Sequence, residues 1–293
     1  MSGCRLCPRS CGADRASGEL GFCGCGSDIK LARASAHFGE EPCITGLFGS
    51  GAVFFSGCTL RCVFCQNREI SLQGRGKTVS VERLAEIFAE LEAEGVHNLN
   101  LVTATPFADK VACALELARP KIPVVWNSSG YESLETLKLL EGHVQIYMPD
   151  YKYTTPLAAR RYSGARDYPA VARAAILEMY RQTGPFVMDE NGILQSGVLI
   201  RHLILPGRLD DTFDVIDWVA EAFPQNSVLF SLMSQFTPFA DKEKFPELAR
   251  PLSKDEHARA QSYLSLSGIE AGYFQDLAAA TDEMVPHFDF TGV

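Results

Sequence analysis

The sequence predicts an α/β protein built as a partial, open (β/α)6 barrel, preceded by a small N-terminal cysteine-rich, metal-binding extension. Three observations carry that expectation. Short apolar runs alternate with amphipathic stretches from about residue 52 onward, the pattern of a parallel sheet wound with helices. About six such units can be counted, too few for the usual eight-stranded barrel. Six of the ten cysteines lie before residue 45, which sets an extension over residues 1–45 apart from a barrel domain over residues 46–293.

The elements follow in order. Residues 1 to about 30 are rich in Cys, Gly and Arg without periodicity and read as a metal-stapled knob. Residues 31–52 read as a connection ending in Gly49-Ser50-Gly51, a turn signal. An apolar strand at 52–56 leads into a cysteine loop. A helix begins after Ser80, a good N-cap, with Val81, Leu84, Ala85, Ile87, Phe88 and Leu91 on one face. Then come strands at 98–103, 122–127, 144–148, 198–205 and 228–233. Helices are expected at 108–118, 132–140, 169–183, 210–223 and 254–266.

Composition narrows the function. The chain has 293 residues, 46% of them hydrophobic, so a sizeable core can form. A net charge of -9 argues against a nucleic-acid partner, which calls for a basic stripe. No run approaches the roughly 18 apolar residues of a membrane span, and the N-terminus lacks an apolar signal core. A soluble, cytoplasmic protein without membrane contact is expected. In that compartment ten cysteines read as metal ligands before disulfides.

The most specific signal is Cys58-Thr59-Leu60-Arg61-Cys62-Val63-Phe64-Cys65, with the spacing C-x3-C-x2-C. Three thiolates can hold three irons of a [4Fe–4S] cube and leave the fourth open to a small molecule, whereas electron-transfer cubes take four cysteines. A structural zinc site wants four ligands, and this loop offers three. The other strand ends are polar as well: Thr103 and Thr105, Asn127 and Ser128, Asp150 and Lys152, and Arg201 beside His202. In a parallel barrel such ends form the active site, and these groups suit a zwitterionic, amino-acid-like ligand. Strand alternation lets only one of Arg201 and His202 face inward; Arg201 is the expected one.

The stretch from Gly57 to Arg68 resembles the cluster loop of radical S-adenosylmethionine (SAM) enzymes, and most of all that of pyruvate formate-lyase activating enzymes. Phe64 matches their aromatic residue before the third cysteine, Asn67-Arg68 their Asn-Arg pair, and Gly49-Ser50-Gly51 their Gly-Pro-Gly. The resemblance covers roughly residues 45–240. It implies that SAM chelates the open iron and that one electron cleaves it to methionine and a 5′-deoxyadenosyl radical, which abstracts hydrogen from a substrate. It further implies Phe64 near the adenine, and Asn127, Ser128 and Gly130 at the ribose or methionine side. Asp150 and Lys152 fall on a SAM-bordering Asp-x-Lys pattern, and Arg201 lies in a strand ending Pro-Gly. A reduced flavodoxin or ferredoxin is the implied electron donor. One departure stands out: where the family has Gly-Gly-Glu after the second strand, this chain reads Thr103-Ala104-Thr105-Pro106. Without that carboxylate the SAM amino group must rely on hydroxyls such as Thr103 and Thr105, on carbonyls, or on another residue.

Cys4, Cys7, Cys11 and Cys23 are the preferred ligands of a second site, with Cys25 as substitute, holding zinc or a second Fe–S cluster. Other residues take plainer readings. His37, near Glu40 and Glu41, reads as a linker hydrogen-bonder. Cys113 reads as a buried small hydrophobe, Asp210-Asp211 as an N-cap, and the aromatics of the last third as core. The functional expectation is a radical SAM enzyme, in the first place an activase acting on a glycyl-radical enzyme. A radical SAM enzyme acting on another peptide or a small molecule is the alternative. A non-catalytic Fe–S or zinc module is the remote one.

Overall fold

The computed structural model describes residues 3–277 and 286–293. One mostly parallel sheet organises them. Its strands are β1 (Ile29–His37), β2 (Ser50–Phe55), β3 (Lys77–Val79), β4 (Leu99–Val102), β5 (Val124–Ser128), β6 (Ile146–Pro149), β7 (Val187–Met188), β8 (Leu194–Leu203), β9 (Leu229–Met233) and β10 (Gly272–Phe274). The spatial order is β10-β9-β8-β6-β5-β4-β2-β1-β3, with β7 paired antiparallel to β8. From β2 to β10 every neighbouring pair is parallel, while β1 pairs antiparallel with β2 and β3.

The helices are α1 (Pro42–Thr45), α2 (Arg68–Ser71), α3 (Val81–Ala93), α4 (Ala108–Ala118), α5 (Leu134–Leu140), α6 (Pro156–Ser163), α7 (Tyr168–Thr183), α8 (Leu209–Ala222) and α9 (Lys254–Leu266). Their starts follow the expected chemistry. Ser80 accepts a hydrogen bond from the Arg83 N–H at the head of α3, and Ser253 with Glu256 forms a capping box on α9. The apolar face read for α3 is buried: Leu84, Ile87, Phe88 and Leu91 pack into a core that includes Phe55, Leu101 and Trp126 from one face of the sheet.

The opposite face is shorter of apolar cover. Val125, Ile146, Met148, Leu199 and Leu229 meet Cys43 and Ile44 of α1. That helix is tied down where the Asn98 side chain donates to the Ile44 carbonyl at 2.8 Å. Phe54 of β2 and Met233 of β9 line one cavity on this face, although β4, β5, β6 and β8 lie between them. In a flat sheet at about 4.8 Å per strand they would stand roughly 24 Å apart, so the sheet is strongly curved.

The structure corrects several expectations. Residues 31–52 are not a plain connection, because β1, α1 and the start of β2 lie there, and β1 falls inside the stretch assigned to the extension. Ala-rich alternation carries little hydrophobic contrast, and β1 is covered by the segment 286–293, where the Phe290 N–H donates to the Ala32 carbonyl and the Thr291 carbonyl accepts from the Ala34 N–H. Cys113 is exposed on α4, a helical position just off the buried stripe of Val111, Ala114 and Leu115. Asp210-Asp211 is not an N-cap. Both residues lie in the first turn of α8, and Asp211 accepts from the Thr154 N–H and hydroxyl and pairs with Arg208.

Candidate active site

The cavity lies at the C-terminal ends of the parallel strands, where the chain leaves β2 through Gly57 into the cysteine loop. Gly57 has φ +87°, and a Cβ there would come within 2.1 Å of the Cys25 sulfur and 2.9 Å of the Cys23 carbonyl oxygen. Only glycine lets the loop pass so close to the segment 3–28. That segment is bound to the loop: the Cys58 N–H donates to the Cys23 carbonyl at 3.3 Å and Arg61 donates to the Phe22 carbonyl. Arg9 donates to the carbonyls of Thr59, Gly164 and Ser163.

Cys58, Cys62 and Cys65 all line the cavity. Each sulfur already has donors aimed at it. Cys58 accepts from the N–H groups of Leu60 and Arg61 at 3.4 Å, Cys65 from the Ser71 hydroxyl at 3.3 Å, and Cys62 from the Ser163 hydroxyl at 3.1 Å. Burial and then the neighbouring Cys62 and Cys65 push the Cys58 thiol up to about 12. Burial and Cys62 raise Cys65 too. Cys58 and Cys65, both raised and both facing Cys62, are costly as bare thiolates, and bound cationic iron relieves that cost. The donor set therefore fits an iron–sulfur cube.

Opposite the thiols the strands supply a charged network centred on Arg201. It faces the cavity, and His202 faces away to the Tyr151 carbonyl and the Thr212 hydroxyl, with burial holding its imidazole down to about 4. Arg201 Nε donates to Asp150 at 2.9 Å, one terminal nitrogen to Glu40 at 2.9 Å, and the other to the Asn127 amide oxygen at 2.7 Å. Glu40 also accepts from Asn100 and Asn127. Lys152 pairs with the second oxygen of Asp150. Burial works against the Asp150 charge, but Lys152 and Arg201 outweigh it and hold the carboxyl below its usual range. Gly130, at φ +71°, gives the room: a Cβ there would sit 2.7 Å from the Asp150 carbonyl oxygen.

Residues 52–219 match the Radical SAM superfamily. The chain belongs to the radical SAM superfamily. Members use a [4Fe–4S] cluster and SAM, so this is a radical SAM enzyme. It is 29% identical over 270 residues to the uncharacterised protein MJ0674 of Methanocaldococcus jannaschii, covering 88% of this chain and 72% of the relative. The fold is similar to Streptococcus suis SuiB bound to its precursor peptide SuiA, with a TM-score of 0.50 and 11% identity over 78% of this chain. SuiB bound to S-adenosylmethionine gives a TM-score of 0.49 at 11% identity and 77% coverage. This chain spans about half the length of the SuiB structures. No helix among the described residues is long and apolar enough to cross a membrane.

In this radical SAM enzyme, Phe64, Thr103, Asn127, Ser128, Asp150, Lys152 and Arg201 join the three cysteines around one cavity. Thr105 does not join them. It starts the turn Thr105–Phe107 that leads into α4, and its buried hydroxyl donates to Glu132 at 2.8 Å. Thr103 reaches the cavity at φ +62°, a conformation that strains a β-branched residue by about 1–3 kcal/mol.

Sequence reasoning missed Glu40, His37 and Glu132. Glu40 and His37 line the cavity, where the His37 ring meets the edge of Phe54 at 5.9 Å and burial lowers its pKa. The adjacent acids before Pro42, inside an otherwise apolar stretch, were the available signal. Glu132 gave none, since it follows an ordinary Gly-Tyr pair. Its carboxyl is fully buried, one oxygen lacks a partner, and burial raises it to about 7. The folded state thus holds a proton on Glu132 that the unfolded chain releases above its ordinary value, so this group costs stability as pH rises from 5 to 7. Glu132→Gln is expected to gain about 2 kcal/mol relative to the parent over that interval, read by urea denaturation at both pH values. A constant difference would contradict the burial argument.

The second metal expected at Cys4, Cys7, Cys11 and Cys23 is not supported. Among the described residues no group of three or more His, Cys, Asp or Glu is arranged to hold a metal ion. Cys7 is part-buried and raised to about 11 by burial, with Cys23, Cys4 and Cys11 adding to the rise. Cys11 is exposed, and Cys25 packs under the cluster loop with its thiol on the Ser56 carbonyl at 3.3 Å. The three cavity cysteines do not form a single-ion group either, and a cube does not require one, because its thiolates bind separate irons.

Proposed function

We propose that this radical SAM enzyme holds its cluster on Cys58, Cys62 and Cys65 and binds SAM on Phe64, Thr103, Asn127, Ser128, Asp150, Lys152 and Arg201. The curved sheet then serves as the partial (β/α)6 barrel of such enzymes. The observation that carries the reading is that all ten side chains line one cavity beneath the C-x3-C-x2-C loop. When bound, cluster and SAM supply a one-electron cleavage that yields a 5′-deoxyadenosyl radical. The chain's own residues bind and orient. Lys152, close to Cys62 and Cys65, is the cation for the SAM carboxylate. Asn127 and Ser128 serve the ribose, and Phe64 packs beside the adenine. Arg201 keeps Glu40, Asp150 and Asn127 in fixed positions. The apolar walls Phe54, Phe55, Val102 and Leu203 exclude water.

In the first reading the hydrogen is taken from a backbone glycine of a glycyl-radical enzyme. Likeness to activating enzymes supports this, as does a sheet that, among the described residues, ends at β10 and β3 without closing into a ring. A second reading, modification of another peptide or a small molecule, is favoured by Thr103-Ala104-Thr105 in place of Gly-Gly-Glu and by Glu40 within the cavity. Within the second reading, the peptide held by SuiB favours a peptide over a small molecule. The proposed electron donor is a reduced flavodoxin or ferredoxin. Residues 1–77, which hold the cluster loop, carry nine Lys and Arg against six Asp and Glu in a chain with 27 against 36, which suits an acidic donor. The cytoplasm is the proposed compartment, in keeping with ten free cysteines.

The test is anaerobic reconstitution with iron and sulfide, reduction with dithionite, and addition of SAM. Methionine and 5′-deoxyadenosine should form in equal amounts. A fully loaded cluster that yields neither would overturn the reading. A glycyl-radical doublet in the electron paramagnetic resonance spectrum of an added glycyl-radical enzyme separates the first substrate reading from the second.

A further inference from the structure

We propose that Ser163 and Tyr153 are positioning residues that set the cluster's reduction potential through Cys62. The inference rests on the cluster assignment above. Ser163 Oγ donates to the Cys62 sulfur at 3.1 Å, and the Tyr153 hydroxyl reaches the same sulfur at 3.7 Å and shares a 2.8 Å hydrogen bond with Ser163. Both residues are buried, Tyr153 completely.

The three sulfurs are served differently. Cys58 accepts from N–H groups of its own loop, and Cys65 from Ser71 six residues on. Cys62 alone among them receives hydroxyls from distant parts of the chain, 91 and 101 residues away. A buried hydroxyl wants a good acceptor. A neutral sulfur is a weak one, and an iron-bound thiolate is a strong one. The pair is therefore arranged for the loaded state.

The hydroxyls are also held in place. Ser163 ends α6, and the next residue, Gly164, caps the helix in the left-handed conformation. Arg9 donates to the carbonyls of Ser163 and Gly164 at 2.7 and 2.6 Å while its Nε holds the Thr59 carbonyl of the cluster loop at 3.0 Å. The Val63 N–H donates to the Tyr162 carbonyl at 2.9 Å. Tyr153 is packed edge-on against Phe64 and Tyr168. One guanidinium thus fixes the end of α6 against the loop that carries Cys62.

The consequence is electrostatic. Taking one electron from an external donor, which is oxidised in the exchange, makes the cluster and its thiolates more negative. Hydrogen bonds donated to sulfur stabilise that state and raise the potential, whereas a dry apolar shell lowers it. Ser163 and Tyr153 offset the burial of Cys62, so that a biological one-electron donor can reduce the cluster.

The experiment is an anaerobic redox titration of the reconstituted full chain, followed by the reduced-cluster electron paramagnetic resonance signal. It compares the parent with Ser163→Ala, Tyr153→Phe, Ser163→Thr and the Ser163→Ala/Tyr153→Phe double variant, with iron and sulfide measured in each. The double variant should shift negative, lowering the ratio of reduced to oxidised cluster at the parent midpoint about tenfold, or about 59 mV for one electron. Each single change should shift it less, and Ser163→Thr, which keeps the hydroxyl, should stay at the parent potential. A double variant with full iron that titrates at the parent potential overturns the proposal. If Ser163→Ala loads iron poorly, Tyr153→Phe decides alone, because it keeps the ring and removes only the hydroxyl. The titration needs no SAM cleavage. A parent protein that assembles no cluster would sink the functional reading, while a competent parent with unmoved variants sinks only this one.

Discussion

Cys62→Ala is expected to abolish 5′-deoxyadenosine formation while leaving the protein folded. Cys62 is buried at the cavity wall, and its sulfur is the acceptor for Ser163 and Tyr153. With two thiolates left, the cube loses the ligand of a third iron, and iron content should fall with the activity. Folding should survive because Ser163 and Tyr153 keep each other as partners at 2.8 Å, so neither buried hydroxyl is left bare. Thermal unfolding and circular dichroism check the fold, and product analysis after anaerobic reconstitution checks the chemistry. Cys113→Ala, on the exposed side of α4, is the control and should match the parent in both. Product at the parent rate from Cys62→Ala would remove the cluster from this loop.

Arg201→Met should be the most destabilising single change at the site. The methionine fills much of the same volume, but Asp150 and Glu40 lose the cation between them, and both are largely buried. Breaking a buried ion pair from one side costs about 3–5 kcal/mol, because the remaining charge stays desolvated. That corresponds to a fall in melting temperature of roughly 10 °C for a chain of this size. Arg201→Lys should fall between, since one ammonium cannot meet Asp150, Glu40 and Asn127 together. The pH dependence gives a second reading. Asp150 is held below its usual range, so it contributes stability above its unfolded pKa and loses it as pH falls through the lower folded value. In Arg201→Met that acid-side loss should shrink. Equal melting temperatures for parent and methionine variant would mean that the network adds nothing to the fold.

How far the sequence could be read depended on the kind of signal. The cysteine loop was legible because its signal is local, with all three cysteines within eight residues and all three on the cavity wall. Strongly periodic elements were legible too: α3 and α4 came out almost to the residue, since their apolar faces repeat at helical spacing. The polar strand ends Asn127, Asp150, Lys152 and Arg201 could be read because a parallel sheet puts such ends together. What escaped was non-local. β1 is held by antiparallel pairing with β2 and by residues near 290, and its alanines give no hydrophobic contrast. Glu40 reads as a loop acid until α1 packs on the inner face and carries it to Arg201. Thr105 was misassigned because a turn after Thr103 sends it behind the strand, and composition does not encode that turn.

The covering of β1 by the far end of the chain bears on how the molecule opens. Arg33 pairs with Asp289 across 256 residues, and Phe288 packs on Phe54 at 5.6 Å, with Pro286 on the cavity wall. Closing so long a loop carries the largest chain-entropy cost of the contacts described, so this wall is expected to detach from β1 before the parallel core opens. Faster amide hydrogen exchange at Ala34 and Phe290, which bond across it, than within β5 would show that one wall of the cavity is a separately opening unit.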